Sequence, residues 1–562
     1  MEKSTSKLKR TSPTLHLLLL AVIVLLAGAG YFAIIWSGDL RGYEASKLVA
    51  MRYICLLLPV FLIFFWLTRK QRFRGEMMIL TAAVFLFAIG ALMQFRLFAD
   101  PEYGARGTTK SIERREKAQA IRLYNIKTAY DDEKKAFMFG KADAVPKEPV
   151  EQTPERKRSL LSVLLSTETF NPLIGMLALV IGFLIFKDDG WLLWLQKHAV
   201  LVGLATSAVM FALVILYFFF GSDGKLFGQT PWEGMKILFL LSFAGLLADT
   251  YRRLRQTRWG LPPVRYLLPF SIIAIMPVIP FFLLKDFGQL LVFFGVYVML
   301  YIIAVRSPLK LLIQVALVLA LLLSIGLISK VTTGFSVPRY MQLRFHAWQD
   351  MWNPPSPNTA WWKSYINEYI DGRKRNNRTV PDINDPEELE KLSRELWRDR
   401  TLQYSQGLFG INEGNILGEG LGLGYPETIP VSDSDFIYAA IGEELGMIGS
   451  LAALLALAVI VFAGTAISIG APDMFTKLLA AGLTSFVAFQ AIVNIGGVLR
   501  VLPMTGITLP FVSHGGWSLI TSFAMLGILL AISHRNALSY QAGQERKTAQ
   551  HSESLPEFQP VR

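Results

Sequence analysis

Residues 445–469 read LGMIGSLAALLALAVIVFAGTAISI, a run of 25 positions without one charged side chain. A helix needs about 20 apolar residues to cross the roughly 30 Å hydrocarbon layer of a bilayer. The run is therefore long enough to span a membrane, and it is too long and too uniformly apolar for a barrel strand. It predicts a transmembrane helix.

Apolar runs of this kind recur along most of the chain, which has 562 residues, of which 52% are hydrophobic and 18% are charged. The mean hydropathy of +0.40 is higher than that of ordinary water-soluble proteins. We therefore expect an all-α polytopic membrane protein with about 12 transmembrane helices and large extracytoplasmic loops. The expected spans are 14–36, 48–67, 77–96, 169–187, 198–220, 232–249, 264–284, 287–305, 309–329, 445–469, 474–499 and 515–533.

The charge of the short loops predicts which ends of the helices face the cytoplasm. Basic clusters lie in the loops 68–76 and 251–265, and cytoplasmic loops of membrane proteins carry an excess of Lys and Arg. These loops, the basic N-terminus and the C-terminal tail then share the cytoplasmic side, whereas residues 97–168 and 330–444 lie outside. Since these clusters account for much of the net charge of +13, we expect no nucleic-acid partner.

Two polar segments interrupt the apolar pattern in the middle of the chain. In the first, Glu233 and Lys236 are three residues apart, so on a helix they share one face and form an ion pair. Ionisable residues inside a span are functional candidates, although a purely structural ion pair explains the spacing equally well. In the second, Asp286 precedes the span 287–305, where it either caps that helix or takes part in a site.

Two further segments, near the C-terminus, are rich in glycine, proline and carboxylates. Residues 418–446 place four carboxylates directly before a membrane helix, where charges are costly unless they serve a site or remain in water. These carboxylates are Asp433, Asp435, Glu443 and Glu444. Residues 494–518 contain two prolines and repeated glycines, which predict an irregular or re-entrant segment that lines a cavity.

Four motifs in these segments follow one another in order along the chain. They read P-x-E-x-x-K at 231–236, D-x-G at 286–288, S-D-F-I-x-A-x-x-G-E-E-L-G at 434–446 and G-I-x-L-P-F-V-S-x-G-G-x-S at 506–518. In this order they resemble the SEDS family of bacterial membrane proteins, which includes FtsW, RodA and SpoVE. The last two motifs are the most specific.

The resemblance implies a domain organisation. A ten-helix core with its outer loops occupies residues 77–535, and residues 1–76 carry an N-terminal tail and two additional helices. Residues 536–562 are polar and are expected to form a disordered cytoplasmic tail. Before them, Asp385 followed by Pro386 predicts the start of a charged helix that extends to about Asp399.

The sequence departs from the family pattern at three places. The usual histidine and threonine before the aspartate are Asp433 and Ser434, and the usual tyrosine of the last motif is His514. The outer loop near residues 355–400 is expanded. The aspartate itself, Asp435, is retained, in surroundings that differ from those usual in the family.

The resemblance implies a peptidoglycan polymerase, which transfers the growing glycan from undecaprenyl pyrophosphate to the GlcNAc 4-hydroxyl of lipid II. A sugar hydroxyl is a poor nucleophile, so a carboxylate acting as general base is expected, and the resemblance places Asp435 in that role. The departing pyrophosphate calls for fixed cations and donors. Candidate substrate-binding residues are Arg339, Arg344, Asp286, Glu443, Glu444, Arg500, Ser513, Gly515 and Gly516. Glu443 and Glu444 are alternatively expected to hold the loop through backbone or cation contacts.

The resemblance also implies partners and a location. Beside lipid II, we expect a class B penicillin-binding protein, because a polymerase of this type makes uncrosslinked strands. A divalent cation, Mg or Mn, is expected with the substrate pyrophosphate. The chain has no Cys/His spacing typical of a protein-built metal site. The expected location is the bacterial inner membrane. Alternative functions are a lipid II flippase, an O-antigen ligase or polymerase, and a scaffold of the division or elongation machinery.

Overall fold

A computed structural model describes most of the chain. The described residues are 12–41, 45–99, 166–222, 225–226, 230–256, 278–284, 286–307, 339–375 and 384–553, with a few isolated residues between them. Some predicted regions therefore lie wholly or largely outside the described residues. They are the spans 264–284 and 309–329 and the outer segment 97–168, including its charged stretch 111–137.

The described residues form sixteen helices. The helices of the N-terminal half are α1 (Pro13–Arg41), α2 (Lys47–Cys55), α3 (Leu58–Phe65), α4 (Met78–Ala99), α5 (Thr167–Lys187), α6 (Asp189–Lys197), α7 (Ala199–Phe220) and α8 (Met235–Arg255). The helices of the C-terminal half are α9 (Ile279–Leu283), α10 (Phe287–Val305), α11 (Arg339–Gln349), α12 (Ala360–Arg375), α13 (Pro386–Gly414), α14 (Ile437–Gly470), α15 (Met474–Val498) and α16 (Gly516–Glu553).

Short elements connect some of these helices. A π-helical turn, Trp66–Lys70, follows α3, and 3-10 turns occur at Pro231–Gly234 and Pro426–Thr428. The strands β1 (Gly221–Ser222) and β2 (Lys225–Leu226) form one antiparallel pair. The protein is thus essentially all-α.

Ten of the helical segments within the described residues are long and apolar enough to cross a membrane. They coincide with ten of the twelve predicted spans, which confirms the prediction of a polytopic, all-α membrane protein. Lipid-facing backbone must satisfy its own hydrogen bonds, and helices do so within one segment.

Helix α15 lies at the centre of the bundle and packs against α14, α10 and α8. A second extensive contact joins α5 and α16. Gly182 and Gly527 lie in it, next to the backbones of Ala524 and Leu179, respectively. Small residues allow this close approach of helices in membranes.

Contacts at one end of the bundle agree with the predicted grouping of the basic loops. The backbone amide of Arg74 donates to His534 Nδ1 at 3.1 Å, and the Arg535 guanidinium pairs with Asp189. The loop 68–76, the start of α6 and the C-terminal part of α16 therefore share one end. That this end is cytoplasmic remains a prediction from the charge rule.

The two N-terminal helices that the resemblance identifies as additional pack against the rest of the bundle. Tyr31 of α1 contacts the ring of Phe95 on α4, with centroids 5.3 Å apart. The Arg52 guanidinium of α2 lies 2.7 Å from the Glu168 carboxylate at the start of α5, and its side chain is 3% exposed. These contacts place α1 and α2 beside α4 and α5.

Three boundaries differ from the prediction. Residues 536–553 were expected to be disordered, and this is wrong, because α16 continues from the membrane span to Glu553. Extending a formed helix costs little in a stretch that contains several Ala and Gln residues. Helix α14 begins at Ile437, before the predicted 445, and is kinked at Gly446, where φ is 67°. Helix α13 starts where Asp385 and Pro386 predicted it but extends beyond Asp399 to Gly414.

Helices α11, α12 and α13 enclose a second hydrophobic core, separate from that of the bundle. Its largest side chains are the fully buried Trp362 and Trp397. Tyr404 of this core accepts a hydrogen bond from the Met504 amide at 2.6 Å. The α11–α13 unit is therefore fixed to the irregular segment that follows α15.

Candidate functional site

Glu233 and Lys236 form a buried ion pair at the start of α8. The Lys236 ammonium lies 2.5 Å from Glu233 Oε2, and the two side chains are only 1% and 8% exposed, respectively. The pair predicted from the three-residue spacing is thus confirmed. Two glutamines complete the network: Gln289 of α10 donates to Glu233, and Lys236 donates to Gln490 of α15 at 3.0 Å.

We expect these two charges to be strongly coupled. Lys236→Ala leaves the Glu233 carboxylate buried without its cation, which costs free energy of folding. Replacing both residues removes the unpaired charge and with it this cost. A double-mutant cycle of thermal unfolding should give a coupling energy of about 1–3 kcal/mol. Additive effects of Glu233→Gln and Lys236→Ala would contradict a direct interaction.

Asp286 caps α10, because its carboxylate accepts a hydrogen bond from the Gln289 amide at 3.1 Å. Desolvation raises the pKa of Asp286 to about 6, and the nearby Glu233 adds to this effect. The Gln289 amide and the cations Lys236 and Arg344 act in the opposite direction. Asp286 thus has the capping role and also belongs to the same charge cluster as the ion pair.

Residues 499–515 form the irregular segment that was predicted between the last two spans. Backbone φ is positive at three of its residues, Arg500, Gly506 and Phe511. Asn494, near the end of α15, holds this segment against the chain before α14. Its amide group donates to the carbonyls of Asp435 and Ile507, at 2.8 and 2.6 Å.

Ser513 makes a second link between the irregular segment and the chain before α14. Its hydroxyl donates to the Ser434 carbonyl at 2.6 Å and accepts from the Leu509 amide at 2.7 Å. Gly515 directly precedes α16, and Gly516 is its first residue. Of these three predicted substrate-binding residues, Ser513 binds the residue before Asp435 and is itself buried.

Asp435 lies one residue before Phe436, the cap residue of α14, and is partly exposed. A Cβ atom at Gly506 would be 3.5 Å from Asp435 Oδ2 and 3.8 Å from the nearer guanidinium nitrogen of Arg344. The carboxylate and the guanidinium therefore both lie beside the same glycine. Arg344 is held there by a hydrogen bond to the Thr505 carbonyl at 3.2 Å.

The other two predicted arginines are placed differently. Arg500 donates to the carbonyls of Trp348 and Gln349, at 2.8 and 2.7 Å, and thus caps the C-terminus of α11. This contact fixes α11, which carries Arg344, and gives Arg500 a structural task. Arg339 begins α11, and its side chain lies outside the described part of the structure.

Glu443 and Glu444 are fully buried in the first turns of α14. Glu443 Oε1 accepts from the Tyr425 amide at 2.5 Å, and Glu444 accepts from the Gly422 amide. They hold the glycine-rich loop before Asp435, which is the second of the two roles considered for them. Their complete burial leaves them no exposed surface for a substrate.

Arg96 was missed by the sequence analysis. It lies at the end of α4, is 0% exposed, and pairs with Glu444 at 2.9 Å and with Glu427 at 3.2 Å. It also donates to the Gly424 carbonyl at 2.9 Å. An arginine at the polar end of an otherwise apolar span was the available signal, but its partners are more than 300 residues away in the sequence.

Residues 380–538 match the FtsW/RodA/SpoVE family of cell cycle proteins. This part of the chain is therefore similar to the SEDS family. It contains both specific motifs, Asp435, Asn494 and the irregular segment 499–515.

Named relatives match about a quarter of the chain. The peptidoglycan glycosyltransferase RodA of Mycobacterium tuberculosis is 46% identical over 132 residues, which are 24% of this chain and 28% of that protein. The stage V sporulation protein E of Bacillus subtilis is 41% identical over 133 residues, 23% of this chain and 36% of that protein. The chain thus spans about a third or less of the length of these relatives.

Solved structures are similar to a larger share of the chain at low identity. The crystal structure of Thermus thermophilus RodA covers 65% of this chain and 96% of its own, with 18% identity and a TM-score of 0.29. A peptidoglycan synthase complex, described as coordinating polymerization and crosslinking, covers 65% of this chain and 97% of its own, with 18% identity and a TM-score of 0.34.

Proposed function

We propose that this protein is a lipid II polymerase of the bacterial inner membrane. In this proposal it transfers the growing glycan from undecaprenyl pyrophosphate to the GlcNAc 4-hydroxyl of lipid II. The observation that carries the proposal is that the Asp435 carboxylate and the Arg344 guanidinium both lie beside Gly506. A base and a cation are thus near the same glycine. Asp435 and Gly506 lie in the stretch 380–538, which matches a family whose named members include peptidoglycan glycosyltransferases.

The two groups suit the two halves of the reaction. As the acceptor oxygen forms its bond to C1 of the donor sugar, Asp435 takes the proton of the acceptor hydroxyl. The bond between C1 and the pyrophosphate oxygen breaks, and the negative charge that develops on the leaving group is stabilised by the Arg344 guanidinium. Lys236 is already bound to Glu233 and Gln490 and is 1% exposed, so we assign the direct phosphate contact to Arg344.

The cation and the partner are part of the same proposal. Within the described ranges, no group of three or more His, Cys, Asp or Glu side chains is arranged to hold a metal ion. We assign Mg or Mn to the pyrophosphate of the substrate itself. The uncrosslinked product requires a transpeptidase, and a class B penicillin-binding protein is the proposed partner.

The test is turnover by the purified full-length protein in detergent. With lipid II as the only substrate, glycan strands should appear as a ladder on a gel. A flippase would move lipid II across vesicle membranes without making strands, and a scaffold would do neither. Strand formation from an O-antigen precursor but not from lipid II would instead favour an O-antigen ligase or polymerase.

A further inference from the structure

The α11–α13 unit contains a groove that the proposed reaction does not use. It lies between α13 and the loop 351–358 that follows α11, and its volume is about 1160 Å³. Pockets for small ligands usually measure about 300–1,000 Å³, so this groove has room for an extended ligand. It lies in the outer loop that the resemblance identifies as expanded.

The wall of the groove is formed by a rigid loop with an aromatic side chain. Asp350 accepts hydrogen bonds from the backbone amides of Trp352 and Asn353, at 3.0 and 3.1 Å. Prolines 354, 355 and 357 restrict the same loop further. The Trp352 ring is 59% exposed and stacks on Phe409 of α13, with centroids 6.0 Å apart. A large apolar ring is thus held in a fixed position at the groove.

The remaining lining is polar and carries charges of both signs. Amides and hydroxyls come from Asn353, Asn358 and Ser405, and exposed charges come from Arg398 and Asp399. Trp397 lines the groove as well, and its indole N–H has no hydrogen-bond partner among the described residues. This combination of one flat ring with many hydrogen-bonding groups fits a ligand that has apolar faces and many hydroxyls, which is the chemistry of a sugar chain.

The groove is fixed relative to Asp435. Gly407 of α13 packs directly on the ring of Phe436, the residue after Asp435. Tyr404, one turn earlier, contacts the same ring and binds the Met504 amide. Helix α13 therefore carries the groove on one face and rests on the proposed catalytic segment with another. A polymer that leaves Asp435 meets this helix.

We propose that the groove between α13 and the loop 351–358 binds the growing glycan strand. The proposal rests on the polymerase function and adds a binding site for its product. Trp352 stacks on a sugar ring, and Arg398 donates hydrogen bonds to the oxygen atoms of a neighbouring sugar unit. By holding the strand between successive additions, the groove increases the number of units added before release.

The test uses the full-length protein and soluble, lipid-free glycan strands without peptides. Trp352→Ala should weaken strand binding about tenfold, as expected for the loss of one aromatic anchor. Arg398→Glu, at an exposed position that tolerates substitution, should weaken it as well. With lipid II, both variants should give shorter strands on a gel than the wild-type protein gives.

Phe345→Ala is the matched control, because Phe345 is 51% exposed on α11 of the same unit and lies outside the groove. It should retain both strand binding and strand length. Wild-type binding and strand length in Trp352→Ala and Arg398→Glu would overturn the inference. The inference would also be wrong if these variants bound glycan strands normally but no longer bound a transpeptidase partner. The groove would then be a protein-docking surface.

The outcomes separate this inference from the proposed function. If the wild-type protein binds strands through Trp352 but makes none from lipid II, the polymerase proposal fails and the glycan site stands. If it makes strands whose length is independent of Trp352 and Arg398, the polymerase proposal stands and the groove inference fails.

Discussion

Asp435→Asn should lower glycan polymerisation by about 10²–10⁴-fold, the usual contribution of a general base. Asparagine has nearly the same shape as aspartate, but its amide does not take up the proton of the acceptor hydroxyl. Lipid II binding should be retained, because Arg344 keeps its bond to the Thr505 carbonyl at 3.2 Å. The measurement is strand formation from lipid II by the purified variant, together with a binding isotherm for lipid II.

Asp433→Asn is the control for this result. Asp433 has the same chemistry two residues earlier, and its backbone carbonyl, which the substitution keeps, accepts from the His514 amide at 2.8 Å. We expect this variant to polymerise at close to the wild-type rate. A folded Asp435→Asn protein with wild-type activity, or an equal loss in both variants, would place the base elsewhere.

The local features of the site were predictable from the sequence. The three-residue spacing of Glu233 and Lys236 sufficed to predict their contact, because helical geometry brings such residues together. The prolines and glycines of residues 494–518 predicted an irregular segment, since they break helices wherever they occur in such density. Asp435 stands out only through the motif around it, because four other carboxylates lie within ten residues.

The long-range features were not predictable in this way. Lys236 binds Gln490, which is 254 positions away, and Arg344 lies beside Gly506. Neither contact leaves a periodic pattern in the sequence, because the fold alone brings these residues together. The loop-holding role of Glu444 likewise depends on Arg96, and a charge at a helix end does not reveal its partner.

Arg96→Met should destabilise the protein by about 3–5 kcal/mol, because it leaves two buried carboxylates without their cation. Methionine keeps most of the length of the side chain, so the loss of charge dominates over a loss of packing. Glu427 and Glu444 are 1% and 0% exposed and both pair with Arg96. The measurement is thermal unfolding of the purified protein in detergent.

Two comparisons make the Arg96 result specific to a buried network. Arg394→Met breaks an ion pair at the surface, because Arg394 is 69% exposed and its partner Glu390 is 58% exposed. This substitution should lower the free energy of unfolding by less than about 1 kcal/mol. Adding Glu427→Gln and Glu444→Gln to Arg96→Met should recover part of the lost stability, because the uncompensated charges are then gone. If Arg96→Met unfolds at the same temperature as Arg394→Met, the carboxylates do not depend on Arg96. Through Glu444 and the Gly424 carbonyl, Arg96 holds the loop that leads to Asp435. The polymerisation rate of Arg96→Met should therefore decline together with its stability. Both should recover in part in the triple variant.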